Sequence, residues 1–293
     1  MKKLTILFLL ISIFSCAQKA ELKKEISKIT EGKKATVAVS VLGIDFPFKL
    51  NNENAEKKLP MQSVFKYHIA LAVLDLVDKG KLSLDQKVFI KKSELLPQTW
   101  SPIREKNPEG NFEMLISELI EYTVAMSDNV GCDVLLRLIG GPKVVHDFLI
   151  SKGVKDTQIV YNEEIMQSEW KNQYENYTTM KSATKLLKDF YQGKILSEKS
   201  TEFLLGVMYR TSTGLNKIVE QLPKSAKVAH KTGSSGHNDE GLIGAENDIA
   251  IITLPNGKTY AMAIFVSDST ESYDDTCKLI SDVSKVVYEI LEK

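Results

Sequence analysis

The chain has 293 residues, 43% of them hydrophobic and 26% charged, and its 38 basic and 38 acidic side chains cancel to a net charge of zero. This length suits one large domain or two closely packed ones. The ordinary composition excludes collagen-like, low-complexity and disordered chains. Nucleic-acid proteins carry a basic face or stripe. Because the clustered lysines here are only short pairs, we expect no nucleic-acid partner.

The first residues have the order of a secretory signal peptide. Two lysines precede an apolar run over residues 4–14, and small residues follow it. The run is too short to cross a bilayer, and no later segment approaches the roughly 20 apolar residues of a transmembrane helix. We therefore expect residues 1–17 to be a signal peptide, cleaved before Gln18, and the mature protein to be periplasmic. Acylation of Cys16, as in a lipoprotein, is the alternative.

Metal and cofactor motifs are missing from the sequence. The four histidines show no His-x-His or His-x-x-x-His spacing and no cysteine cluster adds to them. A phosphate loop of the GxxxxGK[ST] form is also missing. We therefore expect neither a metal nor a cofactor. Once Cys16 is removed, Cys132 and Cys277 are too few for a disulfide scaffold. Cys132 is expected to be a buried free thiol, with pairing to Cys277 as the alternative.

The chain opens with mixed elements and continues into a helical middle. Apolar residues recur at helical spacing over 19–29, and Thr36–Leu42 has the composition of a strand. Residues 43–45 predict a turn, and Phe46–Leu50 predicts a hairpin partner for that strand. Helical periodicity then predicts helices at Val64–Val77, Leu115–Ala125, Gly131–Ile139 and Met180–Tyr191.

The last third returns to strand-forming sequence. Apolar and β-branched runs predict strands at Lys227–Lys231, Asp248–Leu254 and Thr259–Val266. The turn residues at 255–257 (Pro-Asn-Gly) predict a hairpin between the last two strands. A single apolar face predicts a final helix at Thr276–Leu291.

Sheet-forming sequence at both ends thus brackets a helical middle. The economical arrangement is an α/β (α+β) fold with an antiparallel five-stranded sheet, flanked by the terminal helices, and an inserted all-helical lobe. We expect residues 18–58 and 209–293 to form the sheet lobe and residues 59–208 the helical lobe. A cleft between two lobes is the natural place for a ligand.

A serine and a lysine begin the first long apolar helix. Ser63 and Lys66 are three residues apart and therefore lie on one helical face. Serine is a poor nucleophile unless a neighbour takes its proton, and burial or nearby cations can depress the pKa of a lysine. Taken alone, a surface serine near a surface lysine is the simpler interpretation of this spacing.

Two further motifs follow in order. Ser127-Asp-Asn129 stands directly ahead of a predicted helix, and His230-Lys231-Thr232-Gly233 ends a predicted strand. Individually they are typical of a helix cap and of a strand followed by a turn. Together with Ser63-x-x-Lys66 they form the motif set of class A β-lactamases and penicillin-binding proteins. From about residue 20 to its end, the chain resembles a class A serine β-lactamase.

Short phrases resemble the extended-spectrum branch found in Bacteroidota-type bacteria. They begin at Leu59 (LPMQSV), Gly80 (GKLS), Leu95 (LLPQTWSP) and Ile252 (ITLPNG). The resemblance implies the fold shared by penicillin-binding proteins and serine β-lactamases. It also implies hydrolysis of penicillins and cephalosporins, oxyimino-cephalosporins included, with antibiotic resistance as the outcome. The expected partners are small β-lactam molecules, and the protein is expected to be a monomer.

Class A enzymes carry a glutamate on an Ω-loop, where it positions the water that hydrolyses the acyl-enzyme. The matching loop here is about 158–177, and it contains the adjacent pair Glu163 and Glu164. Counting from Glu163 to Asn176 reproduces the loop length of the family, so Glu163 is the expected residue. Two exposed acids in a loop are the alternative.

The resemblance assigns roles to the motif residues. Ser63 is the nucleophile, and its proton goes either to Lys66 or, through a water, to Glu163. The backbone N–H groups of Ser63 and Ser234 form the oxyanion hole. Ser127, polarised by Lys231, protonates the departing nitrogen. The implied substrate-binding residues are Trp100, Asn129, Gln167, Lys217, Thr232, Gly233 and Ser234.

The sequence departs from the family pattern at several places. Many relatives hold the substrate carboxylate with an arginine on a neighbouring strand, and the matching basic residue here is Lys217, whose alternative is an exposed surface lysine. Tyr161 and Asn176 stand where an ion pair usually closes the Ω-loop, so the loop must be held some other way. Gln167 replaces the usual water-binding asparagine. Trp100 is expected to wall the entrance, with a core position as the alternative.

Two other functions use the same serine and lysine machinery. A peptidase of cell-wall synthesis lacks fast deacylation, and Glu163 argues against it. A β-lactam sensor domain stays acylated and usually hangs from transmembrane segments, which this sequence lacks.

Overall fold

The computed structural model describes residues 17–293, so almost all of the predicted signal peptide, Cys16 included, lies outside the described residues. Residues 17–30 form helix α1. The strands are β1 Thr36–Gly43, β2 Lys49–Asn51, β3 Leu59–Pro60, β4 Lys87–Ile90, β5 Phe112–Leu115, β6 Tyr177–Thr178, β7 Lys227–Ser234, β8 Ile243–Thr253 and β9 Thr259–Ser269. The further helices are α2 Phe65–Asp78, α3 Pro102–Lys106, α4 Ile116–Ala125, α5 Asn129–Ile139, α6 Pro142–Ser151, α7 Glu163–Ser168, α8 Met180–Tyr191, α9 Glu198–Tyr209 and α10 Tyr273–Glu292.

The main sheet has five strands in the order β2-β1-β9-β8-β7, and all neighbours are antiparallel. This confirms the predicted five-stranded antiparallel sheet. The pairing of β1 with β9 runs from Thr36↔Ser267 to Gly43↔Tyr260, so the two ends of the chain share one sheet. Strand β7 forms an edge of the sheet. The boundaries of the two lobes stay a prediction.

The two faces of the sheet belong to two cores. Along β1, Val37, Val39 and Val41 pack with apolar residues of α1 and α10, whereas Ala38 packs with the helical middle of the chain. This alternation follows from the period of two in a strand. The sheet therefore lies between the terminal helices and the helical segment.

Helix α2 runs through the interior, and its residues from Phe65 to Asp75 are all buried. A helix that is apolar on all sides is stable only inside a protein. This burial anchors the turn at its N-terminus, where Ser63 lies.

Strand β8 begins at Ile243, five residues before the predicted start at Asp248. The polar residues Glu246 and Asn247 concealed the strand, because polar side chains are seldom fully buried. Both are fully buried in the sheet. Asn247 Nδ2 donates to the carbonyl oxygens of Pro60 at 2.8 Å and Met61 at 3.0 Å.

Smaller differences have local causes. Strand β2 covers only Lys49–Asn51, because Phe48 N–H donates to the Phe46 carbonyl and closes a tight turn ahead of it. Helix α5 begins at Asn129, since the Asp128 carboxylate caps it by accepting from Gly131 N.

Within residues 17–293, Cys132 and the other described cysteine are buried and form no disulfide, as expected. No helix in this part of the chain is long and apolar enough to cross a membrane.

Candidate active site

A cavity of about 620 Å³ lies between the edge of the main sheet, the start of α2 and the 158–177 loop. Its wall contains all the predicted site residues except two lysines: Ser63, Trp100, Ser127, Asn129, Glu163, Gln167, Lys217, Thr232, Gly233 and Ser234. The two lysines, Lys66 and Lys231, are fully buried and hydrogen-bond to serines of the wall. Tertiary structure thus brings the whole predicted set together.

Ser63 lies on a 3-10 turn, Gln62–Val64, that leads directly into α2. Gln62 adopts a φ of 47°, a left-handed conformation that is uncommon for a non-glycine residue. Its side-chain amide donates to Gln173 Oε1 at 2.6 Å, which ties the turn to the 158–177 loop. Sequence reasoning did not single out Gln62 or Gln173.

Strand β7 approaches this turn at Gly233. A Cβ atom at this position would lie 2.6 Å from the Met61 carbonyl oxygen and 3.2 Å from Ser63 N. These distances are too short for any side chain, so only glycine lets the strand edge reach the serine. The edge of β7 therefore lies directly against the turn that carries Ser63.

Lys66 Nζ connects the serine with the acidic loop. It donates to Ser63 Oγ at 2.8 Å and lies 2.7 Å from Glu163 Oε1. It also contacts the Ser127 carbonyl oxygen at 3.1 Å and Asn129 Oδ1. A proton that leaves Ser63 Oγ thus has an amine within hydrogen-bond distance and a carboxylate directly beyond it.

Ser127 carries the second hydroxyl of the cavity. Lys231 Nζ donates to Ser127 Oγ at 3.0 Å and to the Thr232 carbonyl oxygen at 2.8 Å. Burial, reinforced by the charge of Lys66, lowers the pKa of Lys231 well below its ordinary value. Ser127 has a φ of 58°, a strained conformation of the kind that clusters at functional sites. The pair can pass a proton to an atom bound in the cavity.

The 158–177 loop presents Glu163 at the start of α7. The Asp133 carboxylate accepts from Glu163 N at 2.8 Å and from Glu164 N at 3.1 Å, and so caps this short helix. Burial, together with the nearby Glu163 charge, raises the pKa of Asp133 to about 7. Sequence reasoning missed Asp133, although it follows Asn129 by one helical turn and therefore lies on the same face of α5.

The neck of this loop is closed by amide hydrogen bonds instead of an ion pair. Asn176 is fully buried, and its Oδ1 accepts from Val160 N at 2.8 Å and Tyr161 N at 3.0 Å. Its Nδ2 donates to the Tyr161 carbonyl oxygen at 2.9 Å. The expectation that the loop is held some other way is confirmed.

Two amides surround the upper part of the cavity. Gln167 Nε2 donates to Glu163 Oε2 at 2.9 Å. Thr99 links the two sides, because its hydroxyl donates to Gln167 Oε1 at 3.2 Å and accepts from Asn129 Nδ2 at 2.6 Å. The Trp100 side chain is 56% exposed, so it stands at the cavity mouth and not in the core.

Lys217 is buried beneath β7 and is not the exposed lysine that the alternative interpretation required. Its Nζ lies 2.8 Å from Glu246 Oε2 and 2.8 Å from the Gly233 carbonyl oxygen. Burial works against the charged lysine, but the Glu246 carboxylate, together with Cys277 and Asp248, raises the Lys217 pKa. Sequence reasoning missed Glu246 because it precedes the predicted start of its strand.

The end of β7 that lines the cavity carries two hydroxyls. Thr232 Oγ1 lies 2.8 Å from Thr213 Oγ1, and Ser234 Oγ donates to Glu246 Oε1 at 2.5 Å.

Among residues 17–293, no group of three or more acidic, histidine or cysteine side chains is arranged to hold a metal ion.

Comparison with known proteins agrees with this geometry. The profile of a family described as the β-lactamase enzyme family matches residues 21–291. β-Lactamase VEB-1 of Pseudomonas aeruginosa is 43% identical over 97% of this chain and 96% of its own length. Extended-spectrum β-lactamase PER-1 of the same organism is 42% identical over 97% of this chain and 92% of its own length.

Solved structures extend the likeness to the whole fold. The TLA-3 extended-spectrum β-lactamase superposes with a TM-score of 0.92 at 49% identity, covering 94% of this chain and 100% of that one. A class A β-lactamase from Bacteroides cellulosilyticus gives a TM-score of 0.89 at 36% identity, covering 94% of this chain and 98% of that one. The chain therefore belongs to the β-lactamase enzyme family and is a class A β-lactamase, a hydrolase of β-lactam antibiotics.

Proposed function

We propose that this class A β-lactamase opens the lactam ring of penicillins and cephalosporins by forming an acyl-enzyme on Ser63. The position of Lys66 Nζ carries the proposal, since it lies 2.8 Å from Ser63 Oγ and 2.7 Å from Glu163 Oε1. This contact supplies the activation that a serine hydroxyl needs to act as a nucleophile.

In the proposed acylation, Ser63 Oγ attacks the lactam carbonyl carbon. In one route Lys66, as the free amine, accepts the serine proton across the 2.8 Å contact. A water between Ser63 and Glu163 provides the other route. The backbone N–H groups of Ser63 and Ser234 face the developing oxyanion, and one such donor contributes roughly 10²–10³ in rate.

Breaking the C–N bond requires a proton on the departing nitrogen. Ser127 Oγ, which accepts a hydrogen bond from Lys231, donates that proton and regains one through this contact. In deacylation, Glu163 in its carboxylate form takes a proton from water as the water attacks the ester carbonyl; the bond to Ser63 Oγ then breaks and the proton returns to that oxygen. The hydrogen bond from Gln167 holds the Glu163 carboxylate in position for this step.

Substrate binding follows from the same cavity. The β7 edge, with the Thr232 hydroxyl, Gly233 and Ser234, faces the substrate carboxylate, and Asn129 hydrogen-bonds the acylamide side chain. Trp100 covers the entrance. Because the loop neck is closed by Asn176 and carries no ion pair, we propose a pocket wide enough for oxyimino-cephalosporins. Two relatives described as extended-spectrum enzymes support this range.

We also propose that residues 1–17 direct export to the periplasm, where the enzyme confers antibiotic resistance as a monomer. We further propose that the chain divides into a sheet lobe (residues 18–58 and 209–293) and a helical lobe (residues 59–208). A site between the lobes fits the general location of ligand pockets.

Purified enzyme mixed with nitrocefin tests the proposed chemistry. Steady turnover is expected from the wild type, and neither turnover nor a penicillin adduct is expected from Ser63→Ala by mass spectrometry. A single stoichiometric burst from the wild type would instead indicate a peptidase or a sensor. An adduct on Ser63→Ala would overturn the assignment of the nucleophile.

Comparing kcat/KM for cefotaxime with that for cephalothin tests the substrate range. Values within about 10³ of each other are expected. A larger deficit for cefotaxime, equivalent to more than ~4 kcal/mol of lost transition-state stabilisation, would show that the pocket is closed to oxyimino side chains.

A further inference from the structure

A buried ion pair lies directly under the β7 edge. Lys217 and Glu246 are 1% and 0% exposed, and Lys217 Nζ lies 2.8 Å from Glu246 Oε2. Its other close neighbours are the carbonyl oxygens of Gly233 at 2.8 Å and Asn247 at 3.3 Å. The two carbonyl oxygens accept hydrogen bonds from Lys217 Nζ, and the Glu246 carboxylate compensates its charge at close range. The contacts of Lys217 thus hold its ammonium group under the strand.

The second oxygen of Glu246 holds Ser234. Ser234 Oγ lies 2.5 Å from Glu246 Oε1, and an ionised carboxylate can only accept hydrogen bonds. The serine hydroxyl proton therefore points at Glu246 and away from the cavity. One buried carboxylate thus fixes the side chains of both Lys217 and Ser234 at the end of β7.

The other ionisable groups nearby also have close partners. Asp248, two residues along the same strand, lies 3.2 Å from His230 Nδ1 and accepts from Ile218 N at 3.2 Å. The Lys217–Glu246 pair itself has no net charge. Across the strand, Lys231 lies against the Ser127 hydroxyl. The cavity therefore receives little positive charge from Lys217 while Glu246 remains ionised.

We propose that Glu246 is a positioning residue that sets the charge and hydrogen-bond direction of the subsite for the substrate carboxylate. It neutralises Lys217 and orients Ser234, so the carboxylate is held mainly by the hydroxyl of Thr232 and the strand edge. This inference rests on the proposed hydrolysis of β-lactams, whose ring carboxylate is the ligand concerned.

The pair makes opposite predictions for its two members. In Glu246→Gln the side chain keeps its shape, Lys217 loses its compensating carboxylate, and the substrate carboxylate should bind more tightly. In Lys217→Met the carboxylate of Glu246 loses its cationic partner and repels the substrate carboxylate. The double variant Lys217→Met/Glu246→Gln is neutral at this point, as is the wild type.

Steady-state kinetics with cephalothin test the proposal. We expect KM to fall about tenfold in Glu246→Gln and to rise about tenfold in Lys217→Met. A factor of about ten corresponds to the interaction of one unpaired charge with the substrate carboxylate. The double variant should return to within about threefold of the wild-type KM, and kcat should change less than KM in all three. A double variant with the KM of Lys217→Met would overturn the proposal, because Lys217 would then bind the carboxylate itself.

Two controls separate charge from disruption. The methyl ester of cephalothin lacks the carboxylate, so its KM should be similar in all the variants. If KM for the ester falls and rises among the variants as KM for cephalothin does, the proposal is overturned. Glu121→Gln removes the partner of Arg210 at an ion pair outside the cavity and should leave KM unchanged.

Stability requires its own check, because an unpaired buried charge destabilises a fold. Thermal unfolding of each variant shows whether it is folded. If Lys217→Met does not fold, Glu246→Gln decides alone, and an unchanged or raised KM overturns the inference. Absence of nitrocefin turnover by the wild type would overturn the proposed function and this inference with it. If the wild type turns over nitrocefin but KM for cephalothin is the same in the wild type and in the Lys217 and Glu246 variants, only the inference is overturned.

Discussion

Lys66 Nζ lies 2.7 Å from Glu163 Oε1, and both side chains are closed off from solvent. A buried pair of this kind is costly to break, since removal of one partner leaves the other charge uncompensated. The same lysine reaches Ser63 Oγ at 2.8 Å. The helix that begins the helical segment and the loop that covers it therefore meet at one ammonium group.

Glu163→Gln should acylate and then accumulate acyl-enzyme, because the deacylating water loses its base. Mass spectrometry after mixing with a cephalosporin measures the trapped adduct. The matched control is Glu164→Gln, whose side chain is exposed and should turn over normally. If Glu164→Gln traps the adduct and Glu163→Gln does not, the assignment of Glu163 as the catalytic glutamate is wrong.

Gly233→Ala should lower kcat/KM by about a hundredfold, the usual effect of a displacement near 1 Å at a reacting group. The new Cβ would lie 2.6 Å from the Met61 carbonyl oxygen and would push β7 away from Ser63. Gly206→Ala in α9 is the control, since its Cβ would make only an ordinary contact at 3.5 Å. Wild-type activity in Gly233→Ala would show that the close approach is unimportant.

Asn176→Ala should lower the free energy of unfolding by about 1–3 kcal/mol, because buried backbone groups of the loop neck lose their partners. Urea denaturation measures the change. Asn172→Ala is the control, because the Asn172 side chain bonds only within the loop and should cost less than about 1 kcal/mol. Equal losses in the two variants would mean that the neck has no special role.

Asp133→Asn should change how stability depends on pH. Burial raises the pKa of Asp133 from 3.8 to about 7 in the folded protein. The folded state therefore binds more protons than the unfolded state between these values, and wild-type stability falls as pH rises through this window. Asparagine does not titrate. The free energy of unfolding of the variant should therefore rise relative to that of the wild type as the pH increases from about 4 to about 7.

Urea unfolding of wild type and Asp133→Asn at both ends of that window measures this difference. Asp147→Asn is the control, because Asp147 is largely exposed and pairs with Lys143 on the surface of α6. A difference between Asp133→Asn and the wild type that stays constant with pH would show that Asp133 is ionised throughout.

Local pattern in the sequence determined a large part of this molecule. Helix α8 begins at Met180 and ends at Tyr191 as its apolar period predicts, and the 255–257 turn joins β8 to β9. Ser63 and Lys66 share a helical face because of their spacing alone. Such features depend on neighbours within a few residues, so the sequence contains them directly.

Tertiary structure alone decided the polar contacts under the site. Glu246 pairs with Lys217, and Asp133 caps a helix that begins 30 residues later in the chain. Neither contact follows from spacing, because each depends on strand register and on how a loop packs against a helix. A carboxylate in a strand is read as exposed until a buried partner is known. That partner exists only once the chain has folded, which is why the start of β8 and the surroundings of Lys217 escaped prediction.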